Sequence, residues 1–166
     1  MTIVQNGRRM VANWQSFSIG QGCTVNIVQP DSNAAAFIRV TGAEASVIEG
    51  ALTANGRVFL LNQNGVLFSA SAQVEASSIV ASNLDAGREA FNRDNCGDPR
   101  ASRSGIVNQG SITAPNGGTI ALIAEQVRNE GRLAAVGGNV MMGAYDSPLP
   151  GWEDLPAPVP GSTRVA

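Results

Sequence analysis

Carboxylates are the side chains of this chain best suited to catalysis, because paired acids cleave glycosidic bonds in many enzymes. Five of them lie in segments of regular apolar alternation: Glu44, Glu49, Glu75, Glu125 and Glu130. To share a site in a repetitive fold, they would have to be spaced by whole repeats. Glu49 and Glu75 are 26 positions apart, which does not match the chain's repeat of 20–21, and no Asp-Asp or Asp-x-Asp pair occurs. We therefore predict no catalytic residue and no enzyme.

Metal binding and nucleophilic catalysis also lack their usual residues. The chain has no histidine, the commonest general base and metal ligand. Its two cysteines, Cys23 and Cys96, are 73 positions apart, without C-x-x-C spacing. They could remain free thiols or pair as a disulfide in an exported protein. We predict no metal and no cofactor.

The most informative residues carry the chemistry of turns. Residues 48–68 alternate apolar and polar side chains, and Asn and Gly fall where the alternation breaks. The stretch Asn62-Gln63-Asn64-Gly65 predicts a turn with Asn64 or Gly65 at positive φ, which these two residue types tolerate best. The pattern over the whole segment is strand, turn, strand and turn.

The elements that position these turns repeat at a fixed interval. Residues 108–114 (NQGSITA) are echoed by 129–135 (NEGRLAA), an offset of 21. Residues 117–122 (GGTIAL) are echoed by 137–142 (GGNVMM), an offset of 20. A period near 20, made of short strands and Gly/Asn turns, is typical of a β-solenoid. An antiparallel sandwich is the alternative, but its strands usually recur every 8–12 residues or so.

Coils of a solenoid pair backbone to backbone at roughly 4.8 Å and enclose a continuous apolar core. The repeats predict that Ile112 stacks in parallel on Leu133. They likewise predict that Ile120 stacks on Val140. Asn108 and Asn129 are candidates for a ladder of side-chain amides at a corner.

Larger aromatic residues mark the beginning of the chain. Trp14 and Phe17 suit a cap or a first coil, because the open end of a solenoid is an exposed sheet edge. They could equally be ordinary core aromatics.

One segment departs from the repeat within the coiled region, residues 1–144, and a second follows that region. Residues 85–104 hold eight charged side chains and predict an excursion at a corner of the coil. We favour a solvated loop over a specific contact surface and expect it to be dispensable for folding, since loop closure depends weakly on length. Residues 145–166 are Pro-rich, and because proline lacks the N–H of a β-ladder they predict an extended or disordered tail.

Composition limits the partners and the location. Apolar residues make up 43% and aromatics 5%, which suits a narrow interior. The net charge of −2 gives no general attraction to nucleic acid. The chain contains no run of 18 apolar residues, so no transmembrane segment is predicted. Residues 1–9 do not resemble a signal peptide. We expect either a cytoplasmic protein or a chain that begins inside a longer exported one.

Several segments, in order, resemble one known family, the haemagglutination activity or two-partner secretion domain of filamentous-haemagglutinin-like exoproteins. The resemblance covers about residues 8–144. Its segments are 13–20 (NWQSFSIG), 25–30 (VNIVQP), 39–42 (RVTG), 55–66 (NGRVFLLNQNGV) and 81–85 (ASNLD). Gln63 stands where the family usually has proline, and the adjoining Asn64-Gly65 pair preserves the turn.

This resemblance implies a right-handed parallel β-helix that serves as a secretion module. It implies recognition in the periplasm by the POTRA domains of an outer-membrane β-barrel transporter, followed by folding outside the cell. The location would be secreted or at the bacterial cell surface, within an adhesin or a contact-dependent inhibition toxin. The motifs suggest Trp14, Phe17, Asn62, Asn64 and Gly65 for partner recognition, with a largely structural role. Direct adhesion to a host glycan or protein is the alternative, and a degenerate carbohydrate-active β-helix enzyme is the least favoured.

Overall fold

The chain folds as a parallel β-solenoid of about six turns, as the repeats predict. The structure is a computed structural model that describes residues 1–83, 105–144 and 163–164. Each full turn contributes one strand to each of three sheets, so every sheet is built from strands one coil apart. No helix long and apolar enough to cross a membrane occurs in the described part of the chain.

The three walls of the solenoid are named here sheet 1, sheet 2 and sheet 3, with strands numbered along the chain. Sheet 1 contains β1 (Thr2–Val4), β3 (Thr24–Val28), β6 (Ala51–Ala54), β9 (Gln73–Glu75), β12 (Ser111–Ala114) and β15 (Arg132–Ala135). Sheet 2 contains β2 (Arg9–Trp14), β4 (Ala35–Val40), β7 (Arg57–Asn62), β10 (Ser78–Ser82), β13 (Thr119–Ala124), β16 (Asn139–Ala144) and β17 (Thr163–Arg164). Sheet 3 contains β5 (Ser46–Ile48), β8 (Val66–Phe68), β11 (Ile106–Asn108) and β14 (Val127–Asn129).

The predicted stacking pairs are confirmed. Ile112 lies beside Leu133 in the parallel pairing of β12 with β15. Ile120 lies beside Val140 in the parallel pairing of β13 with β16. Parallel pairing at these positions excludes the antiparallel sandwich.

The coil length varies along the chain. Offsets of 20–22 hold for most pairings from the middle onwards, as between Val58 and Ile79, which are 21 positions apart. The offset rises to 38–41 where strands before and after the excursion pair, as between Ile79 and Ile120, which are 41 positions apart. The first coils are longer, with an offset of 26 between Met10 and Ala36. Short motifs that match at 20–21 therefore reveal the later coils better than the first ones.

The core is a single column of apolar side chains inside the solenoid. Ile27, Leu52, Leu60, Ile79 and Ile120 are fully buried there. At the two ends of the column the inward side chains are only partly buried; they are Ile3, Met10 and Trp14 in the first coil and Val127, Leu133, Ala135 and Met142 in the last. The end coils therefore expose apolar interior surface.

Both departures from the repeat begin at the carboxyl end of a strand in sheet 2. The stack is continuous past the excursion, since β8 pairs directly with β11 and β10 with β13. The predicted segment 85–104 itself lies outside the described residues. Within the predicted tail, Thr163 and Arg164 form a short antiparallel strand on β16. The remainder of residues 145–166 also lies outside the described part.

Candidate functional site

The predicted turn is found where the chain passes from β7 in sheet 2 to β8 in sheet 3. The amide of Gly65 donates to the carbonyl of Asn62 at 3.0 Å, which closes the turn. Gly65 has φ +97°, a conformation that side-chain-bearing residues adopt only with strain. The prediction of positive φ is thus confirmed at Gly65.

Asn62 ties this turn to the coil before it. Its side chain is 1% exposed, and Nδ2 donates to the carbonyl of Glu44 at 3.0 Å and to Oγ of Ser46 at 2.9 Å. Its Oδ1 accepts the backbone amide of Asn64 at 2.9 Å. Because a buried amide is costly when unpaired, these bonds explain why asparagine occupies the position.

Asn64 extends the same connection one step further. Its Nδ2 donates to the carbonyl of Gly42 at 2.8 Å. Gly42 in turn lies so close to Gln15 that a Cβ there would stand 2.0 Å from the Gln15 carbonyl oxygen. Three successive corners are therefore in direct contact, and the middle one has no room for a side chain.

Trp14 and Phe17 lie at the top of this corner column. Trp14 pairs with Val40 in β4, which pairs with Asn62 in β7, so the three residues occupy equivalent positions in adjacent coils. The rings of Trp14 and Phe17 meet edge to face, with centroids 5.6 Å apart and planes at 73°. Phe17 is 4% exposed and Trp14 is half-buried. Both pack against the core at the end of the solenoid, as the cap interpretation predicts.

The five residues chosen from the sequence thus share one corner of the solenoid, which we call the Asn-Gly corner. Its contacts within the chain are structural: hydrogen bonds between coils and aromatic packing at the end. Nε1 of Trp14 is buried at this corner without a hydrogen bond to any of the described residues. Asn83, the last described residue before 105, lies at the same corner, because Leu61 and Ser82 are paired.

A second polar column, not predicted from the sequence, lies at the corner between sheets 1 and 2. Gln29 is 4% exposed, and its Nε2 donates to Oε1 of Gln5 at 3.0 Å and to the carbonyl of Ala34 at 3.0 Å. Its Oε1 accepts the amide of Gly56 at 2.9 Å. A signal was present, because the tripeptide Ile-Val-Gln occurs at 3–5 and again at 27–29, and these segments pair.

The described residues offer little that could catalyse a reaction or hold a metal. No group of three or more Cys, Asp or Glu side chains lies close enough to bind a metal ion among them. Cys23 is exposed and forms no disulfide, while Cys96 lies outside the described part. A depression of about 270 Å³ at the last coil is lined mainly by apolar and glycine residues, with Arg132 its one charged residue.

Comparisons with known proteins agree with this geometry. The family model described as the TPS secretion domain matches residues 1–150. A heme/hemopexin-binding protein of Haemophilus influenzae strain Rd is 37% identical over 144 residues, covering 81% of this chain and 16% of that protein. Another heme/hemopexin-binding protein of Haemophilus influenzae is 42% identical over 85 residues, covering 51% of this chain and 9% of that protein.

A solved structure shows the same fold. The crystal structure of the HMW1 secretion domain from Haemophilus influenzae superposes with a TM-score of 0.62 at 28% identity. The match covers 80% of this chain and 41% of that one. The chain spans only a small part, 16% and 9%, of the length of the two heme/hemopexin-binding relatives.

Proposed function

We propose the following function for the chain, which belongs to the TPS secretion domain family. It acts as the non-enzymatic secretion module of a large bacterial exoprotein destined for the cell surface or the medium. The POTRA domains of a partner outer-membrane transporter recognise it in the periplasm. Outside the cell its coils nucleate the β-helix. The observation that carries the proposal is the family match over residues 1–150, which spans the whole stack of parallel coils.

The solenoid supports a role in nucleation because each coil contacts only its neighbours, so order can spread from one coil to the next. In the last coil of the described stack, Leu133 and Ala135 keep their inward side chains only partly buried. Further coils could bury this surface and pair with the free edges of β14 and β15. Growth in this direction would add apolar burial with each coil.

Binding of a host molecule is a second candidate, favoured by the names of the two heme/hemopexin-binding relatives. The longer of the two alignments covers only 16% of the relative. This chain also has no histidine, a common axial ligand of heme iron. We therefore assign any such binding to the remainder of the exoprotein. A heme titration of the isolated chain, followed by its absorption spectrum, would separate the two candidates.

The proposal is tested by binding to purified POTRA domains of the partner outer-membrane transporter. The chain is presented unfolded, by rapid dilution from urea, so that losses of stability cannot be mistaken for losses of contact. Biolayer interferometry should show saturable binding that POTRA domains from an unrelated outer-membrane assembly factor do not reproduce. Equal binding to both sets would refute specific recognition.

Matched variants then test the Asn-Gly corner. Trp14→Leu should weaken binding by about tenfold or more, equivalent to roughly 1.4 kcal/mol, if Trp14 is a contact residue. Trp152→Leu removes the chain's other tryptophan and should leave binding unchanged. Phe17→Leu and the core substitution Phe68→Leu form a second pair of the same design. Equal effects within each pair would assign the corner a structural role only.

A further inference from the structure

Asparagine-glycine pairs occupy four corners of the solenoid: Asn6-Gly7, Asn55-Gly56, Asn64-Gly65 and Asn116-Gly117. Asparagine is chemically labile, and most so before glycine, which has no Cβ to hinder attack by its backbone nitrogen. That nitrogen forms a bond to Cγ of the asparagine, the bond from Cγ to Nδ2 breaks, and ammonia leaves with the proton of the attacking N–H. Water then opens the succinimide ring at either carbonyl, so that aspartate or isoaspartate replaces the asparagine.

A fold can hinder this reaction at two groups. The glycine nitrogen must give up its N–H proton, and the asparagine side chain must turn toward that nitrogen. A hydrogen bond donated by the N–H, or one that holds the side chain, has to open before the attack can occur. The four pairs differ in how many of these bonds they make.

The pair Asn55-Gly56 is held at both groups by Gln29. Oδ1 of Asn55 accepts the amide of Gln29 at 2.7 Å, and Nδ2 donates to the Gln29 carbonyl at 2.8 Å. The amide of Gly56 donates to the buried Oε1 of Gln29 at 2.9 Å. Both reacting groups of this pair are therefore engaged in the folded chain.

The pair Asn64-Gly65 is held in the same way within the Asn-Gly corner. Nδ2 of Asn64 donates to the carbonyl of Gly42 at 2.8 Å, and the amide of Gly65 donates to the carbonyl of Asn62 at 3.0 Å. Two different coils therefore fix the side chain and the attacking nitrogen.

The pair Asn116-Gly117 is held at one group only. The amide of Gly117 donates to the carbonyl of Val136 at 2.8 Å. The Asn116 side chain is exposed and forms no hydrogen bond with the described residues. We expect its protection to be weaker than that of the two pairs before it.

The pair Asn6-Gly7 is held at neither group. Both residues are exposed, and no described residue forms a hydrogen bond with the Asn6 side chain or the Gly7 amide. Nε2 of Gln5 donates to the Gly7 carbonyl at 2.7 Å, but this bond does not involve the reacting atoms. Nothing in the described structure opposes the attack here.

We propose that Asn6 is a site of spontaneous deamidation in the folded protein, whereas the fold protects Asn55 and Asn64 from the same reaction until the chain unfolds. Protection matters most at Asn64. A carboxylate in its place has no N–H to donate to the Gly42 carbonyl, and isoaspartate would add a carbon atom to the backbone of the turn that Gly65 closes. A chain modified at Asn64 would therefore form this corner poorly.

One consequence rests on the function proposed above. On that route the chain is unfolded in the periplasm, where Asn64 lacks its protecting hydrogen bonds. Folding outside the cell then preserves the corner in its unmodified form. The chemistry itself is measured on the purified chain without a transporter, so its failure would be distinct from a failure of the secretion proposal.

The test compares the four pairs within one sample, folded in buffer and unfolded in urea, during incubation at mildly alkaline pH. Trypsin places each pair in its own peptide, 1–8, 40–57, 58–88 or 104–128, and mass spectrometry measures deamidation in each. A sample digested without incubation gives the background. Asn6 should be converted at similar rates in both states. Asn55 and Asn64 should be converted about tenfold or more slowly in the folded chain, because their protecting bonds open rarely.

Two glycine substitutions identify the reacting pair. Gly7→Ala should slow the conversion of Asn6 in both states, because a Cβ hinders the attack. It should not disturb the fold, since Gly7 has no positive φ and the nearest atom to its Cβ would be 3.8 Å away. Gly20→Ala, also without positive φ and with open space at its Cβ, should leave the conversion of Asn6 unchanged.

Gln29→Ala tests the hydrogen bonds themselves. It removes the acceptor of the Gly56 amide and should raise the rate at Asn55 relative to the rate at Asn64 in the same folded sample. An unchanged ratio would overturn the role given to these bonds. Conversion of Asn6 as slow as that of Asn55 in the folded chain would overturn the proposal, and so would conversion of Asn64 as fast as that of Asn6.

Discussion

The side-chain amide of Asn108 donates to Oδ1 of Asn129 in the next coil at 2.8 Å. Asn108 is fully buried, and its own Oδ1 accepts the amide of Gly110 at 3.2 Å. This is the amide ladder that the offset of 21 predicts. It joins two coils at the carboxyl ends of β11 and β14, where the two residues are paired in register.

Replacement of Asn108 should therefore destabilise the fold. Asn108→Ala leaves buried polar groups unpaired, and we expect a loss of about 1–3 kcal/mol in the free energy of unfolding. Urea denaturation followed by far-UV circular dichroism measures it. Asn6→Ala, at an exposed asparagine, is the control and should change the value by less than about 0.5 kcal/mol. Equal effects of the two substitutions would contradict the ladder.

Gly65 provides a test of the turn conformation. With φ at +97°, Gly65→Val should cost about 1–3 kcal/mol through backbone strain. Gly20→Val is the matched control, since Gly20 has no positive φ and a Cβ there meets nothing within 4 Å. Thermal or urea unfolding of the two variants should differ clearly. A Gly65 variant as stable as the Gly20 variant would mean that the turn is not constrained as observed.

Gln29 should be among the costliest polar residues to replace. Gln29→Ala would remove the partner of the Gly56 amide and the Ala34 carbonyl, and buried groups of this kind cost about 1–3 kcal/mol each when unpaired. We expect unfolding to be easier by about 2 kcal/mol or more. Gln21→Ala, at an exposed glutamine, should be nearly neutral. If both variants unfold at the same urea concentration, the buried column of Gln5 and Gln29 contributes nothing to the stability of the fold.

The later coils could be predicted because stacked strands of similar length place like residues at a constant offset. Ile112 and Leu133 illustrate this, since each faces the same column in adjacent coils. The first coils could not, because their corners are longer and shift the offset to 26 between Met10 and Ala36. There the repeated tripeptide Ile-Val-Gln recurs at an offset of 24, which differs from the period of the later coils.

The burial of the outer face of sheet 2 could not be predicted from the sequence, for a related reason. Residues 119–124 of β13 are buried at every position, so the strand shows no alternation of apolar and polar side chains. A run of this kind indicates that the strand is buried on both faces of its sheet. The Asn-Gly corner was found because its turn chemistry is local: Gly65 and Asn62 carry their own signature.

An export assay tests most directly the central claim, that the chain is the secretion module of an exoprotein. The chain, preceded by a cleavable signal peptide and followed by an epitope tag, is co-expressed with its partner transporter, and the tag is quantified in the periplasm and in the medium. The account predicts tagged protein in the medium only when the transporter is present with its POTRA domains intact. Release that is equal without the transporter, or retention in the periplasm despite an intact transporter, would contradict it.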